Sequence, residues 1–410
     1  MKYGIKLLFA LIVAFACCIN AQDSKLYKSI QEFGVLPANS AALNKINLQK
    51  AIDWASPRGA ALYVEPSAIP YKVDGGIILK DNVSLIGVHG PVGRSTNDSE
   101  MKHPVGSVFQ VEDKINPFII VENSTQVRGI QFWYPAQAFD KASGIIKYPP
   151  TIQMSHSKIV EGVTLSCLTF MGEYIAMDFE GNRQHPCEQI LFEHCYGYPL
   201  SGEFIKINYC YDIPRILHCH INPANMRHIG RSFSKEVIDA VIANKTFAYT
   251  INSTDNAQVM DIFTFGTYGG IYLGEETYGQ LTNFNFDCVC VGIYKSGNSN
   301  KNRNWQIAQG SIIANTGVSQ DSVHSVIIEG LGHTSLTNVE GFSGSNPVLT
   351  TFKGSKDFLL VKGNEKLTVS MYGCRMWGYI ADKPLSIENN NAVIQATDCI
   401  DKNEQPYNLH

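Results

Sequence analysis

The 410-residue chain has no excess of charge of one sign: 33 basic and 37 acidic residues leave a net charge of -4. That balance excludes bulk attraction to nucleic acid or to an anionic membrane, so any acidic ligand must be held by local basic groups. Beyond the first residues there is no apolar run long enough to span a bilayer, so no membrane span is expected. Spacing such as His-x-x-x-His is missing and Cys288-Val289-Cys290 has no second close-spaced pair to match it, so no metal site is assigned from spacing. Nine cysteines follow residue 21, and an odd number in an exported chain argues against a complete disulfide framework. Sustained helical periodicity is scarce as well. It is confined to the early residues and to a short stretch near Ser234–Lys245.

What is present begins with a targeting pattern. Lys2 and Lys6 precede the apolar run Leu7–Ala16, and Ile19-Asn20-Ala21 offers a small-residue cleavage site. Residues 1–21 therefore read as a signal peptide. Cys17 offers lipidation as the rival processing route. The mature chain, 22–410, is expected to be exported: periplasmic, cell-surface or secreted. Asn82, Asn97, Asn123, Asn244 and Asn252 open Asn-x-Ser/Thr triplets, which matter only in a glycosylating secretory route.

After about residue 110 the chain repeats short apolar strands separated by turns. Cys167, Cys195 and Cys219 mark similar strand ends, as do Cys288, Cys374 and Cys399. The spacing of the first three lies in the range of stacked solenoids. One coil cannot cover its own apolar face, so coils stack and share a core. The cysteines then read as small buried residues in a column. Lys235–Ala243, with Ser234 as N-cap, predicts a short helix within an insertion at about 223–252.

Residues 32–88 carry a more specific pattern. Phe33-Gly34-Val35 precedes Asn44-Lys45-Ile46-Asn47-Leu48-Gln49-Lys50-Ala51-Ile52-Asp53, followed by Ala61-Leu62-Tyr63-Val64-Glu65-Pro66 and Val83-Ser84-Leu85-Ile86-Gly87. This resembles the opening of pectate-lyase-superfamily proteins. Where that family carries an Asp-Gly and Asp-Asp-Thr cluster, this chain reads Leu36-Pro37-Ala38-Asn39-Ser40-Ala41-Ala42. The resemblance implies an all-β, right-handed parallel β-helix with a short N-terminal capping helix over residues 22–410. It also implies a carbohydrate-active protein acting on a polysaccharide in a groove along one sheet.

Strand alternation nominates the residues of that groove. With Ile175, Met177 and Phe179 inward, Asp178 and Glu180 point outward; with Ile205, Ile207 and Tyr209 inward, Lys206 and Asn208 do so. Asp212, Arg215, His218 and His220 follow at the next bends, and Tyr272 offers a stacking surface. In a lyase, Lys206 or Arg215 would serve as base or stabiliser, and Asp178, Glu180 and Asp212 could hold Ca²⁺. In a hydrolase, Asp178 would pair with Asp212 or Glu203. The lyase is marginally preferred, with cleavage at uronic acid units. The rival of another class is a non-catalytic glycan-binding or surface structural protein. Neither the polygalacturonase set of Asn-Thr-Asp, Asp-Asp and Arg-Ile-Lys nor the pectate-lyase Arg-x-Pro-x-x-Arg is present.

Overall fold

The computed structural model describes residues 26–88, 103–298 and 304–409. The signal-peptide segment 1–21, Cys17 and the Asn97 triplet lie outside the described residues. Among the described residues, no helix is long and apolar enough to cross a membrane.

The chain forms a parallel β-helix, as the strand pattern and the resemblance implied. Each coil runs through three faces. In one coil these are Thr164–Ser166, Thr169–Met171 and Met177–Glu180. Successive coils pair in parallel register, so each face is a sheet running along the solenoid axis. The face containing Met177–Glu180 is a sheet extending from Ile77–Leu79 to Leu385–Ile387. Its inward rungs include Ile119, Ile152, Met177, Ile205, Ile271 and Ile293, all fully buried. A second column runs from Leu62 through Leu165 and Ile216 to Ala396. Each fully buried aliphatic side chain contributes about 1.5–3 kcal/mol, so the stacked columns hold the solenoid together.

A sharp corner separates the other two faces, and one residue per coil adopts a left-handed conformation there. Gly129, Cys167, His194, His218, Asp261, Asn283, Gln309, Asn338, Gly373 and Asp398 all have φ between 51° and 67°. This corrects the cysteine alignment. Cys167 is the corner residue and stands with His194 and His218, whereas Cys195, Cys219, Cys374 and Cys399 occupy the buried position one residue later. Cys288 is also left-handed, but at a different bend.

The residues that carry the family resemblance build the N-terminal cap. Helix α1, Ala41–Ala55, starts at Ser40, whose Oγ accepts from the Leu43 N–H. Gln49 meets the open strand edge as a further strand would: its Oε1 accepts from the Ile78 N–H at 3.0 Å, and its Nε2 donates to the Ile78 carbonyl at 3.1 Å. Asn44 donates to the Leu36 and Lys72 carbonyls, and Asn47 to that of Gly34. The cap thus satisfies backbone groups that would otherwise recruit another chain.

Alternation fails in two places. Ala176 is buried and Ile175 half-buried, because the strand begins only at Met177. Tyr209 is left-handed (φ 53°), which breaks the alternation and sends Cys210 inward in its place. The insertion holds a 3-10 stretch, Pro223–Ile229, and helix α2, Lys235–Ala243, with Ser234 as N-cap. It ends earlier than expected, since Phe247–Thr254 is already a coil strand.

The coil interior also contains a carboxyl with no charged partner. Glu173 is fully buried and neither carboxyl oxygen has a hydrogen-bond partner. It fits because residue 197 is glycine: a Cβ there would stand 2.5 Å from Glu173 Oε1. Burial pushes the Glu173 carboxyl up to about 8, against an ordinary value of 4.5. The nearby backbone N–H groups temper this without closing hydrogen bonds. A folded-state value above the unfolded one gives stability that is complete below pH 4.5 and is lost as pH rises to about 8. The slope within that window is at most about 1.4 kcal/mol per pH unit. Urea unfolding should show Glu173→Gln losing this dependence and exceeding the parent in stability above the window.

Candidate functional site

The outward side chains of the Met177–Glu180 sheet form a line of rungs parallel to the axis. Asp178 pairs in register with Lys206, Lys206 with Thr250, Thr250 with Tyr272, and Tyr272 with Tyr294. Beside this line stand Glu180, Asn208 and Asn252 in a second one. Parallel pairing alone therefore brings together Asp178, Glu180, Lys206, Asn208 and Tyr272, residues up to 94 apart in sequence.

Lys206 is the centre of one cluster. Its Nζ lies 2.6 Å from Glu180 Oε2 and 3.7 Å from Glu203 Oε1. Asp178 Oδ1 accepts from the Glu180 N–H at 3.1 Å, and Asp178 itself is only 8% exposed. Burial raises the Asp178 and Glu203 carboxyls above the usual range, with Lys206 opposing the rise and Glu180 reinforcing it. Burial would lower the Lys206 ammonium, but the hydrogen bond to Glu180 and the charges of Glu203 and Asp178 outweigh it and hold it above its ordinary value. The cluster thus has two carboxyls raised above their usual range by burial, a third tied to an ammonium, and an ammonium held above its ordinary value.

Calcium does not fit this arrangement, because the Lys206 ammonium occupies the space between Glu180 and Glu203 where a cation would bind them. Among the described residues, no group of three or more His, Cys, Asp and Glu side chains is placed to hold a metal ion.

A second cluster lies farther along the same face. Tyr272 and Tyr294 meet edge-on at 5.5 Å, and Phe247 packs against both and against Tyr268. Tyr272 Oη and Ser296 Oγ share a hydrogen bond of 2.5 Å. Tyr294 donates to Glu329 at 2.5 Å, and Lys362 sits over the Tyr294 ring, 3.4 Å from Glu329. At about 4.8 Å per coil, Tyr294 lies roughly 14 Å from Lys206 along the axis.

The remaining nominated residues belong to other parts of the coil. Asp212 and Ile213, both at positive φ, make the bend out of this sheet, and Asp212 accepts from Gln189 Nε2 at 2.6 Å. Arg215 projects from the next face, donating to Gln258 at 3.2 Å. His218 is a corner residue that bonds Asp261 at 2.7 Å and stacks on His194 at 4.7 Å. His220 stacks on Phe263 from the third face. The structure therefore does not bring Asp212, Arg215, His218 and His220 into the Lys206 cluster, since successive turns rotate the chain onto new faces. The aromatics Phe132, Trp133, Tyr134 and Tyr198 are core rather than surface.

Phe247, Tyr294, Glu329 and Lys362 were not nominated from sequence. One signal pointed to Tyr294: the tripeptide Gly-Ile-Tyr occurs at Gly270-Ile271-Tyr272 and again at Gly292-Ile293-Tyr294, one coil apart. A buried pair, His324 Nδ1 with Asp357 Oδ1 at 2.7 Å, has no sequence signal, since its members lie 33 residues apart. The other ring nitrogen meets the Asp321 carbonyl at 3.0 Å. Both nitrogens are thus engaged, which makes the pair a structural tie rather than a proton shuttle.

No protein-family model matches this sequence, and no curated protein matches it. Solved structures similar to it include DFA-IIIase from Arthrobacter chlorophenolicus A6 in complex with GF2, at 9% identity and a TM-score of 0.47, with 92% of this chain and 94% of that one covered. The A-module of a mannuronan C-5 epimerase from Azotobacter vinelandii aligns at 11% identity and a TM-score of 0.47, covering 91% and 99%. A family 28 exopolygalacturonase from Yersinia enterocolitica aligns at 11% and 0.45, covering 91% and 78%.

The charge arrangement around Lys206 has a direct test. In Lys206→Met, the titration midpoints of Asp178 and Glu203 should rise by about one to three pH units, because an opposing charge is lost. Carboxyl carbon-13 chemical shifts followed against pH would show this, and unchanged midpoints would remove Lys206 from the cluster's electrostatics.

Proposed function

We propose that this chain is an exported glycan-cleaving enzyme, and that it hydrolyses a neutral polysaccharide lying along the Asp178–Tyr294 face. The single observation that carries the reading is the set of Asp178, Glu180 and Glu203 around Lys206, on the same outward face as the Tyr272–Tyr294 aromatic surface. Glycoside hydrolysis needs one carboxyl that keeps its proton and one that is ionised. Asp178 and Glu203 suit the first role because burial raises them, and Glu180, paired with an ammonium, suits the second.

β-Elimination is less well served. It needs a base to take a proton, and the side chain best placed for that, Lys206, is held in its protonated form. The same cluster sets three carboxyls against one ammonium, which disfavours a polyuronate on electrostatic grounds. Tyr272 and Tyr294 are half-buried aromatics on the same face, about two and three coils from Lys206, and offer apolar surface to neutral sugar rings. Export rests on the targeting pattern of residues 1–21.

The reaction class is testable on a panel of neutral and acidic polysaccharides. New reducing ends without ultraviolet absorbance from a C4–C5 double bond are expected, on neutral chains. Asp178→Asn and Glu203→Gln should each lower kcat by about 10²–10⁴, while Arg215→Ala and His218→Ala, on other faces, should leave it near the parent value. An unsaturated product would instead establish a lyase and return Lys206 to the role of base. Silence on the whole panel would favour glycan binding alone. Tyr272→Ala should raise KM for long oligosaccharides about 3- to 10-fold with little change in kcat, as loss of one stacking contact would.

A further inference from the structure

Cysteines occupy equivalent places on neighbouring coils three times. Cys187 pairs in register with Cys210. Cys195 and Cys219 both follow the corner residue, as do Cys374 and Cys399. Cys167, Cys288 and Cys290 have no cysteine in register, which accommodates the odd count.

The pair at the C-terminal end differs from the others in its setting. Tyr372 pairs with Thr397 and Arg375 with Ile400, so Cys374 lies directly over Cys399. Each follows a left-handed residue, Gly373 (φ 60°) and Asp398 (φ 54°), so both side chains leave the backbone in the same inward direction. Both thiols meet backbone carbonyls, Cys374 those of Leu336 at 3.4 Å and Tyr372 at 3.8 Å, and Cys399 that of Thr397 at 3.5 Å. Parallel neighbours about 4.8 Å apart fall within the roughly 4.4–6.8 Å Cα separation a disulfide tolerates. The neighbouring Cys374 brings the Cys399 thiol down to about 7 while its own is raised, which favours Cys399 as the attacking thiolate. In the interior pairs, burial raises Cys195 and Cys210 well above their ordinary values.

Position in the solenoid gives the pair a purpose. The coil ending at Ile400 has a parallel neighbour on one side only. On the other it is covered by Pro406–Leu409, an antiparallel strand whose Tyr407 pairs with Cys399. End coils open first, because they lose contacts with one neighbour only.

We propose that Cys374 and Cys399 are a site of disulfide formation that cross-links the last two coils once the chain meets an oxidising disulfide. Lifting of Pro406–Leu409 exposes Cys399. Its thiolate attacks one sulfur of the oxidant, breaking that S–S bond and expelling one thiolate. Cys374 then gives up its proton and attacks the Cys399 sulfur, expelling the second. Two protein thiols are oxidised and the oxidant leaves as two thiols.

The test uses the full chain with oxidised glutathione, followed by alkylation under denaturing conditions and peptide mapping. A Cys374–Cys399 cross-linked peptide is expected, with a rise in Tm that dithiothreitol reverses. Cys288→Ala should behave as the parent, and Cys399→Ala should show neither cross-link nor rise. Free thiols or glutathione adducts at both positions, with an unchanged Tm, would overturn the proposal. Should Cys399→Ala fail to fold, the map of the unaltered protein decides the matter alone.

Discussion

In-register parallel pairing between coils is the constraint on which everything else in this molecule depends. Side chains alternate with a period of two, so a slip of one residue would turn every buried column out to solvent. The left-handed residue at each corner fixes where a coil turns, and so fixes which residue stands above which. Ile205 over Met177 and Lys206 over Asp178 are two consequences of one register. The first builds the core. The second builds the acidic cluster, and the same rule lays Tyr272 against Tyr294 and Cys374 over Cys399.

The outward face gains its chemistry from this geometry because charges close in space are distant in sequence. Around Lys206, the balance between burial and opposite charge decides the protonation of each group. Burial dominates for Asp178 and Glu203 and raises both above the usual carboxylate range. Opposite charge dominates for Lys206 and keeps it an ammonium. A lysine on such a face reads from sequence as a candidate base, and three carboxyls around it weigh against that role.

Buried polar groups show a second balance. Lys295 is 1% exposed, and burial brings it down to about 8, yet its Nζ finds the carbonyls of Gly297, Glu329 and Leu331 at 2.5, 3.2 and 3.0 Å. Three acceptors match the three donors of an ammonium, so the charged form is satisfied at neutral pH and ties the loop after one coil to the next. Glu173 has no such partners, and its environment keeps the proton instead.

Much of the fold was determined by the sequence alone. Recurring apolar strands with turns at solenoid spacing allow little but stacked coils, and Asn44, Asn47 and Gln49 mark a helix whose side chains close the first strand edge. The outward set Asp178, Glu180, Lys206 and Asn208 was also legible, because it follows from alternation within two strands. What the tertiary structure decided was which coil positions coincide. The turns vary in length, so sequence could not show that Cys167 aligns with His194 rather than Cys195. Nor could it show that bends at Asp212 and His218 carry Arg215 and His220 to other faces. Membership of one face is a property of register between coils, and register is set by the contacts of the whole stack.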